Sequence, residues 1–298
     1  MSNKRILLIG PNGQVGWELL RCVQPLGHVI AAGRNQNEQI QVHLDLTNPD
    51  SIRRVVREVK PTIIINAAAY TAVDKAEKES ELAYTINGTA LGILAEESQR
   101  LKALLIHYST DYVFDGSYTQ PYIETDTVKP LGVYGASKLA GEQAIQSVGG
   151  HYFILRTAWV YGLRGNNFLL TMQRLAKERD ELKIVADQIG APTWSRMIAQ
   201  ATTNILAQLD TSLCQVDIEA LSGIYHLTCA GETNWFEFAK AIIIHENKQP
   251  NILPITTDEY PAPAKRPTYS VLSNTKIAET FGIKLPTWDK ALELCLLS

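Results

Sequence analysis

Short, nearly continuous apolar runs recur along the first half of the chain: residues 5–10 (RILLIG), 28–33 (HVIAAG), 41–46 (QVHLDL), 62–69 (TIIINAAA), 103–110 (ALLIHYST) and 152–159 (YFILRTAW). Most lack the polar alternation of a half-solvated strand, as strands buried on both faces by covering helices should. Helical spacing fills the gaps. Residues 14–25 place Val15, Leu19, Leu20 and Val23 on one face. The next helix opens with Asn48 as N-cap and Pro49 at its first position, then continues through Ile52, Val55, Val56 and Val59. The segment 75–101 is too long and glycine-interrupted for one simple helix, and a break is expected near Asn87–Gly88. Strand alternating with helix predicts an α/β fold: a Rossmann-like, doubly wound parallel sheet with right-handed crossovers.

The rhythm changes after about residue 160. The pattern predicts a helix in NNFLLTMQRLAKERDELK (166–183) and a short strand in KIVADQ (183–188). A helix follows in SRMIAQATTNILAQL (195–209), then a strand in GIYHLT (223–228) and a helix in TNWFEFAKAIIIHEN capped by Thr233. The stretch 249–268 carries five prolines and reads as an extended surface segment. No repeat or clean linker intervenes. A dinucleotide-binding domain over 1–160, rejoined by segments near 190–230, is therefore expected to interleave with a smaller substrate-binding part over 161–298.

Composition narrows the function classes. A chain of 298 residues, 45% hydrophobic, can bury a large core. A formal net charge of −3 offers no basic excess for nucleic acid. No apolar run approaches the roughly 18 residues of a membrane span, and the N-terminal run is too short for a signal peptide. Cys22, Cys214, Cys229 and Cys295 lie far apart with no CxxC pair, as expected of free thiols in a reducing cytoplasm. The six histidines are scattered and suggest no catalytic metal; His107, inside an apolar run, reads as a core histidine.

Candidate chemistry begins at GPNGQVG, residues 10–16. Gly10, Gly13 and Gly16 follow the first strand and precede a helix, the setting in which a glycine turn lets a pyrophosphate approach free helix N–H groups. Asn12, Gln14 and Val15 complete the turn. The spacing is GxxGxxG rather than GxGxxG. The second strand ends Ala32–Gly33–Arg34, with no acidic residue for a ribose 2′-hydroxyl. Arg34 can instead pair with a 2′-phosphate, which points to NADPH, with NADH as the alternative. Asp45 and Leu46, after the third strand, are candidates for the adenine end, and Ala67, Ala68 and Ala69 for close approach of the cofactor to the fourth.

Tyr134 and Lys138 form YxxxK, four apart on one helix face, and no other tyrosine here has a lysine four residues on. Ser109 and Thr110 end the fifth strand, at the edge where open α/β sheets bind ligands. Reducing a ketone with hydride leaves charge on the carbonyl oxygen. A phenol can donate the compensating proton, a neighbouring ammonium can assist it, and a hydroxyl can orient the carbonyl.

The order GPNGQVG, NAAAYTAVDKAE, YSTDYVFDG, VYGASKLAGE resembles the extended short-chain dehydrogenase/reductase superfamily. RTAWVYG, DQIGAPT (187–193) and KRPTYSVL (265–272) look like the dTDP-4-dehydrorhamnose reductase family within it, and the resemblance runs from residue 5 to about 275. It implies NAD(P)H-dependent reduction of the 4-keto group of dTDP-4-dehydro-L-rhamnose. It makes Tyr134 the proton donor, Lys138 its partner and Thr110 the carbonyl-orienting hydroxyl. It brings Ser109, Asp111, Trp159 and Asn167 to the substrate sugar or its diphosphate, and Arg266 to the diphosphate. Some family members are dimers bridged by magnesium between glutamates. Glu18 matches one such position, but Arg196 stands at a second and the C-terminus offers no clear third. That argues against magnesium and for a monomer or weak homodimer. Two alternatives stay open: an epimerase or dehydratase of the same superfamily, for which Asp111 supplies a carboxylate, and a non-catalytic regulatory subunit on the same fold.

Overall fold

The computed structural model describes residues 4–35, 40–209 and 217–298; Cys214 lies outside them. Six parallel strands form in chain order: β1 (Arg5–Ile9), β2 (His28–Gly33), β3 (Val42–His43), β4 (Ile63–Asn66), β5 (Leu104–Thr110) and β6 (Tyr152–Thr157). A seventh, Gly223–His226, pairs in parallel with β6, so the sheet runs Gly223–His226, β6, β5, β4, β1, β2, β3. The order reverses between β1 and β4, which opens a crevice at the carboxyl ends of those strands.

Apolar clusters cover both faces of this sheet. On one side Ile6, Leu8, Ile65 and Ile106 pack with Leu19, Ile198 and Ile205. On the other Leu7, Ile9, Ile64 and Leu105 pack with Ile52, Val55, Leu91 and Leu94. Successive residues of one strand thus enter opposite cores, which explains the lack of polar alternation. A third cluster joins Leu169, Met172, Trp194, Phe238, Ile242 and Leu292 in the C-terminal part.

Several boundaries differ from the pattern-based expectations. The anticipated break at Asn87–Gly88 is a π-helical turn (Thr85–Thr89) through which helix continues from Ser80 to Leu101. Asn87 explains it: its side chain accepts from Tyr70 N–H (2.9 Å) and donates to the Tyr70 carbonyl (3.0 Å) and Ser137 Oγ (3.0 Å), so the extra residue in the turn is anchored from outside. The helix of the FLLTMQRLAKE stretch stops at Glu178, and Glu181–Val185 is the following strand. Its partner is Asn251–Ile255, within the segment expected to be merely extended; Pro254 tolerates the edge position. The cap of the helix Trp235–Ile243 is Asn234, not Thr233, because the Asn234 side chain accepts from Glu237 N–H (2.8 Å). Among the described residues no helix is long and apolar enough to cross a membrane.

Candidate active site

The crevice at the switch point is a cavity of about 460 Å³ lined by Gly10, Gly13, Gln14, Val15, Ala67, Ala68 and Ala69 on one side. Tyr108, Ser109, Tyr134, Lys138, Thr157, Val160, Gly165 and Asn166 line the other. The glycine turn is shaped by close approach. Gly10 has φ of 81°, and a Cβ there would meet Ala68 Cβ at 2.8 Å; a Cβ on Gly16 would lie 2.0 Å from the Gly10 carbonyl oxygen. Gly13 differs, for its Cβ would find nothing nearer than 3.5 Å and its φ is −73°. What a side chain at Gly13 would fill is the cleft. The helix Gln14–Cys22 has no side-chain cap, so its first N–H groups face the cavity mouth unclaimed by a cap, as a dinucleotide pyrophosphate requires.

Tyr134 stands in the first turn of the helix Val133–Val148. This helix lacks a cap of its own. Glu77, from a different element, supplies one: its Oε1 accepts from Val133 N–H at 2.9 Å. Gly135 lets the turn sit directly on the segment after β5, since a Cβ would fall 2.1 Å from the Tyr112 carbonyl oxygen. The Tyr134 hydroxyl is thereby brought to Thr110. Burial lifts its pKa to about 12, a hydrogen bond with Thr110 pulls it down, and the Asp111 carboxylate raises it. Tyr134 is therefore a protonated donor at neutral pH.

Thr110 donates to Asp111 Oδ1 at 3.0 Å and accepts from Tyr112 N–H at 3.1 Å. Asp111 is 2% exposed. Burial pushes its carboxyl up to about 6, against hydrogen bonds that include Ser270 and Thr110. The Ser109 and Thr157 hydroxyls, which line the cavity, are buried with no hydrogen-bond partner among the described residues. Unclaimed polar atoms beside a cavity suit a polar ligand.

Lys138 is 2% exposed. Its Nζ donates to the Tyr108 carbonyl at 2.6 Å and lies 3.0 Å from His107 Nε2. Burial lowers it to about 7, partly opposed by Glu142. His107 Nδ1 in turn lies 3.2 Å from Asn66 Nδ2, and Asn66 Oδ1 accepts from Ala68 N–H at 3.2 Å. The motif NAAAYTAVDKAE spans Asn66 and Glu77 but gave neither a role of its own, and His107 looked like core alone. All three act across elements distant in sequence, which no local spacing reveals.

The remaining predicted residues divide. Arg34 is exposed at the end of β2; its carbonyl accepts from or faces His43 Nδ1 at 2.9 Å, and its charge helps hold Asp45 acidic. Asp45 Oδ1 is engaged by Thr47 N–H (2.9 Å) and Oγ1 (2.8 Å), and Leu46 is buried. Asn12 is exposed in the turn. Asn167 is occupied structurally: it caps the helix Phe168–Glu178 and its amide donates to Gln14 Oε1 (2.9 Å) and to the Gly162 and Arg164 carbonyls. It ties the 162–167 loop to the glycine turn. Trp159, at φ 46°, stacks on Trp235 at 3.5 Å and does not line the cavity. Arg266 pairs with Asp74 at 2.8 Å. Glu18 pairs with Arg196 at 3.2 Å, which turns that carboxylate to a guanidinium inside the chain; among the described residues no group of three His, Cys, Asp or Glu gathers as for a metal.

Residues 4–298 match the family model of the RmlD substrate binding domain. A dTDP-4-dehydrorhamnose reductase of Burkholderia thailandensis is 49% identical, the match covering 98% of each chain. That of Escherichia coli K12 is 42% identical over 98% of this chain and 96% of its own. The crystal structure of a dTDP-4-dehydrorhamnose reductase from Bacillus anthracis in complex with NADP shares 38% identity, a TM-score of 0.90 and 99% coverage of both chains. A Rossmann sheet, a glycine turn and a YxxxK pair around one cleft, with matches of this extent, mean that the chain belongs to the dTDP-4-dehydrorhamnose reductase family of extended short-chain dehydrogenases/reductases.

Proposed function

We propose that the protein reduces the 4-keto group of dTDP-4-dehydro-L-rhamnose with NADPH, giving dTDP-L-rhamnose. The observation that carries this reading is that one cavity is lined by the glycine turn, the small wall Ala67–Ala69, Ser109, Tyr134 and Lys138. Relatives of 40–49% identity that carry the reductase name support the substrate, and the NADP in the Bacillus anthracis structure supports the cofactor.

The cofactor, when bound, supplies the hydride that becomes the new C–H bond at C4. Tyr134 donates its phenolic proton to the former carbonyl oxygen, so that the product carries a hydroxyl. A phenol held near 12 keeps this proton until charge develops on the oxygen. Thr110 orients the carbonyl: an incoming oxygen competes with Asp111 Oδ1 for the Thr110 proton. Lys138 is assigned the nicotinamide ribose, Arg34 the 2′-phosphate and the glycine turn the pyrophosphate. Arg266 reaches the sugar diphosphate by exchanging Asp74 for it, a swap that a guanidinium fork permits.

The test is NADPH oxidation in the presence of the 4-keto sugar nucleotide. Turnover is expected, and Tyr134→Phe should lower kcat by about 10² to 10⁴ with little change in melting temperature. Equal rates for the two proteins would refute the assignment.

A further inference from the structure

Lys138 Nζ leads back into a buried chain of polar groups that the reaction as described does not use: His107, Asn66 and the backbone N–H of Ala68. Its hydrogen-bond directions are not free. Ala68 N–H can only donate, so the Asn66 atom facing it is the carbonyl oxygen, Oδ1. The other end of that amide, Nδ2, then donates to His107 Nδ1 at 3.2 Å. A ring whose Nδ1 accepts carries its proton on Nε2. Nε2 is 3.0 Å from Lys138 Nζ, and an ammonium, which has no acceptor, cannot receive that proton.

We propose that His107 is a positioning residue that donates Nε2–H to an uncharged Lys138 amine in the cofactor-free protein, with Asn66 fixing the tautomer. Charging Lys138 requires the imidazole proton to move to Nδ1 and the Asn66 amide to rotate. Rotation presents Nδ2 to Ala68 N–H and strips it of its acceptor. Ala68 belongs to the cleft wall, so the charge of Lys138 and the wall against which a cofactor lies are coupled through His107.

The surroundings agree. On the lysine's own helix stand Tyr134, which remains a phenol, and Glu142, whose carboxylate is claimed by Arg156 of β6 through bonds of 3.0 and 2.7 Å. From β5 come His107 and Tyr108, the latter bonded through its hydroxyl to Thr202, and at its end Asp111. Among these, no free anion lies in hydrogen-bond contact with Nζ. Burial, the largest influence on it, acts to keep His107 neutral.

The consequence for cofactor binding rests on the reductase reading; the tautomer and the lysine charge do not. They are read by NMR on cofactor-free protein labelled with 15N-histidine and 13C-lysine, the Lys138 signal being identified by its loss in Lys138→Met. The proposal expects His107 protonated on Nε2 and Lys138 titrating far below an ordinary lysine. In Asn66→Asp a carboxylate would accept from Nδ1–H and leave Nε2 as acceptor. Lys138 should then titrate at least about one pH unit higher, a tenfold change in acidity. A proton on Nδ1 in the unaltered protein, which needs no variant to fold, overturns the proposal. So does an Asn66→Asp protein whose lysine midpoint is unmoved. A protein that shows both expected signals but no ketoreduction would refute the reductase reading and leave this one standing.

Discussion

Replacing Gly13 by alanine separates phosphate binding from folding. The residue's φ of −73° and ψ of 167° are open to any amino acid, and the nearest atoms to a new Cβ are Gly10 O at 3.5 Å and Ala67 O at 3.9 Å. Entropy of the unfolded chain favours Gly13→Ala by about 0.4–1 kcal/mol. Loss of a glycine at the N-cap opposes this by an amount of the same order, up to about 1 kcal/mol. The melting temperature without ligand should hardly move. The methyl would nevertheless stand in the cavity where the pyrophosphate must approach the helix N-terminus. An affinity loss of at least tenfold is expected, about 1.4 kcal/mol. Gly16→Ala is the contrasting case. Its Cβ would overlap backbone, 2.0 Å from Gly10 O, and should destabilise by at least about 1–3 kcal/mol before any cofactor is added. Thermal unfolding with and without NADPH, beside a fluorescence titration of NADPH, reads both effects. Unchanged NADPH affinity in Gly13→Ala, or a wild-type melting temperature in Gly16→Ala, would refute the reasoning.

Three further outcomes follow from the same geometry. Arg34→Ala should cut the preference for NADPH over NADH, measured as the ratio of kcat/KM values, by about tenfold through loss of a charge-assisted contact to the 2′-phosphate; an unchanged ratio removes Arg34 from that role. Asp111, raised to about 6 when folded, binds its proton more tightly folded than unfolded, so stability falls as pH rises from near 4 to about 6 and the full cost is present above that. Asp111→Asn should therefore stabilise at pH 7.5 by up to about 3 kcal/mol and give no gain below pH 4, as denaturant titrations at both pH values would show. Arg156→Met leaves the fully buried Glu142 carboxylate without its guanidinium and should cost about 3–5 kcal/mol, much of it recovered when Glu142→Leu is added.

The fold's regular half was legible because strands such as Ile63–Asn66 and Leu104–Thr110 face apolar neighbours on both sides and therefore spell unbroken apolar runs. Tyr134 and Lys138 were legible because helical spacing alone joins them. Asn87 was misread, since a glycine neighbour suggests a break, whereas bonds to Tyr70 and Ser137 hold a π turn there. Asn167, which the family resemblance brings to the substrate, has a second duty that spacing does not reveal: its amide caps a helix and fastens a loop. His107 is indeed a core histidine, 1% exposed. That its partner is Lys138 depends on how β5 registers against a helix that begins 26 positions later, and no local pattern carries that information.

The strand Gly223–His226 closes one edge of the sheet, and this has a consequence during synthesis. The ribosome releases β6 about 65 residues before the strand that covers it, an interval on the order of 3–13 s at ordinary elongation rates. Throughout that time Phe153, Ile154 and Leu155 form a bare, apolar edge able to pair with another nascent chain. A fragment ending near residue 160 would keep that edge permanently and is expected to self-associate through it; crowding on polysomes and slow translation downstream of β6 are the conditions under which such pairing between chains is most favoured.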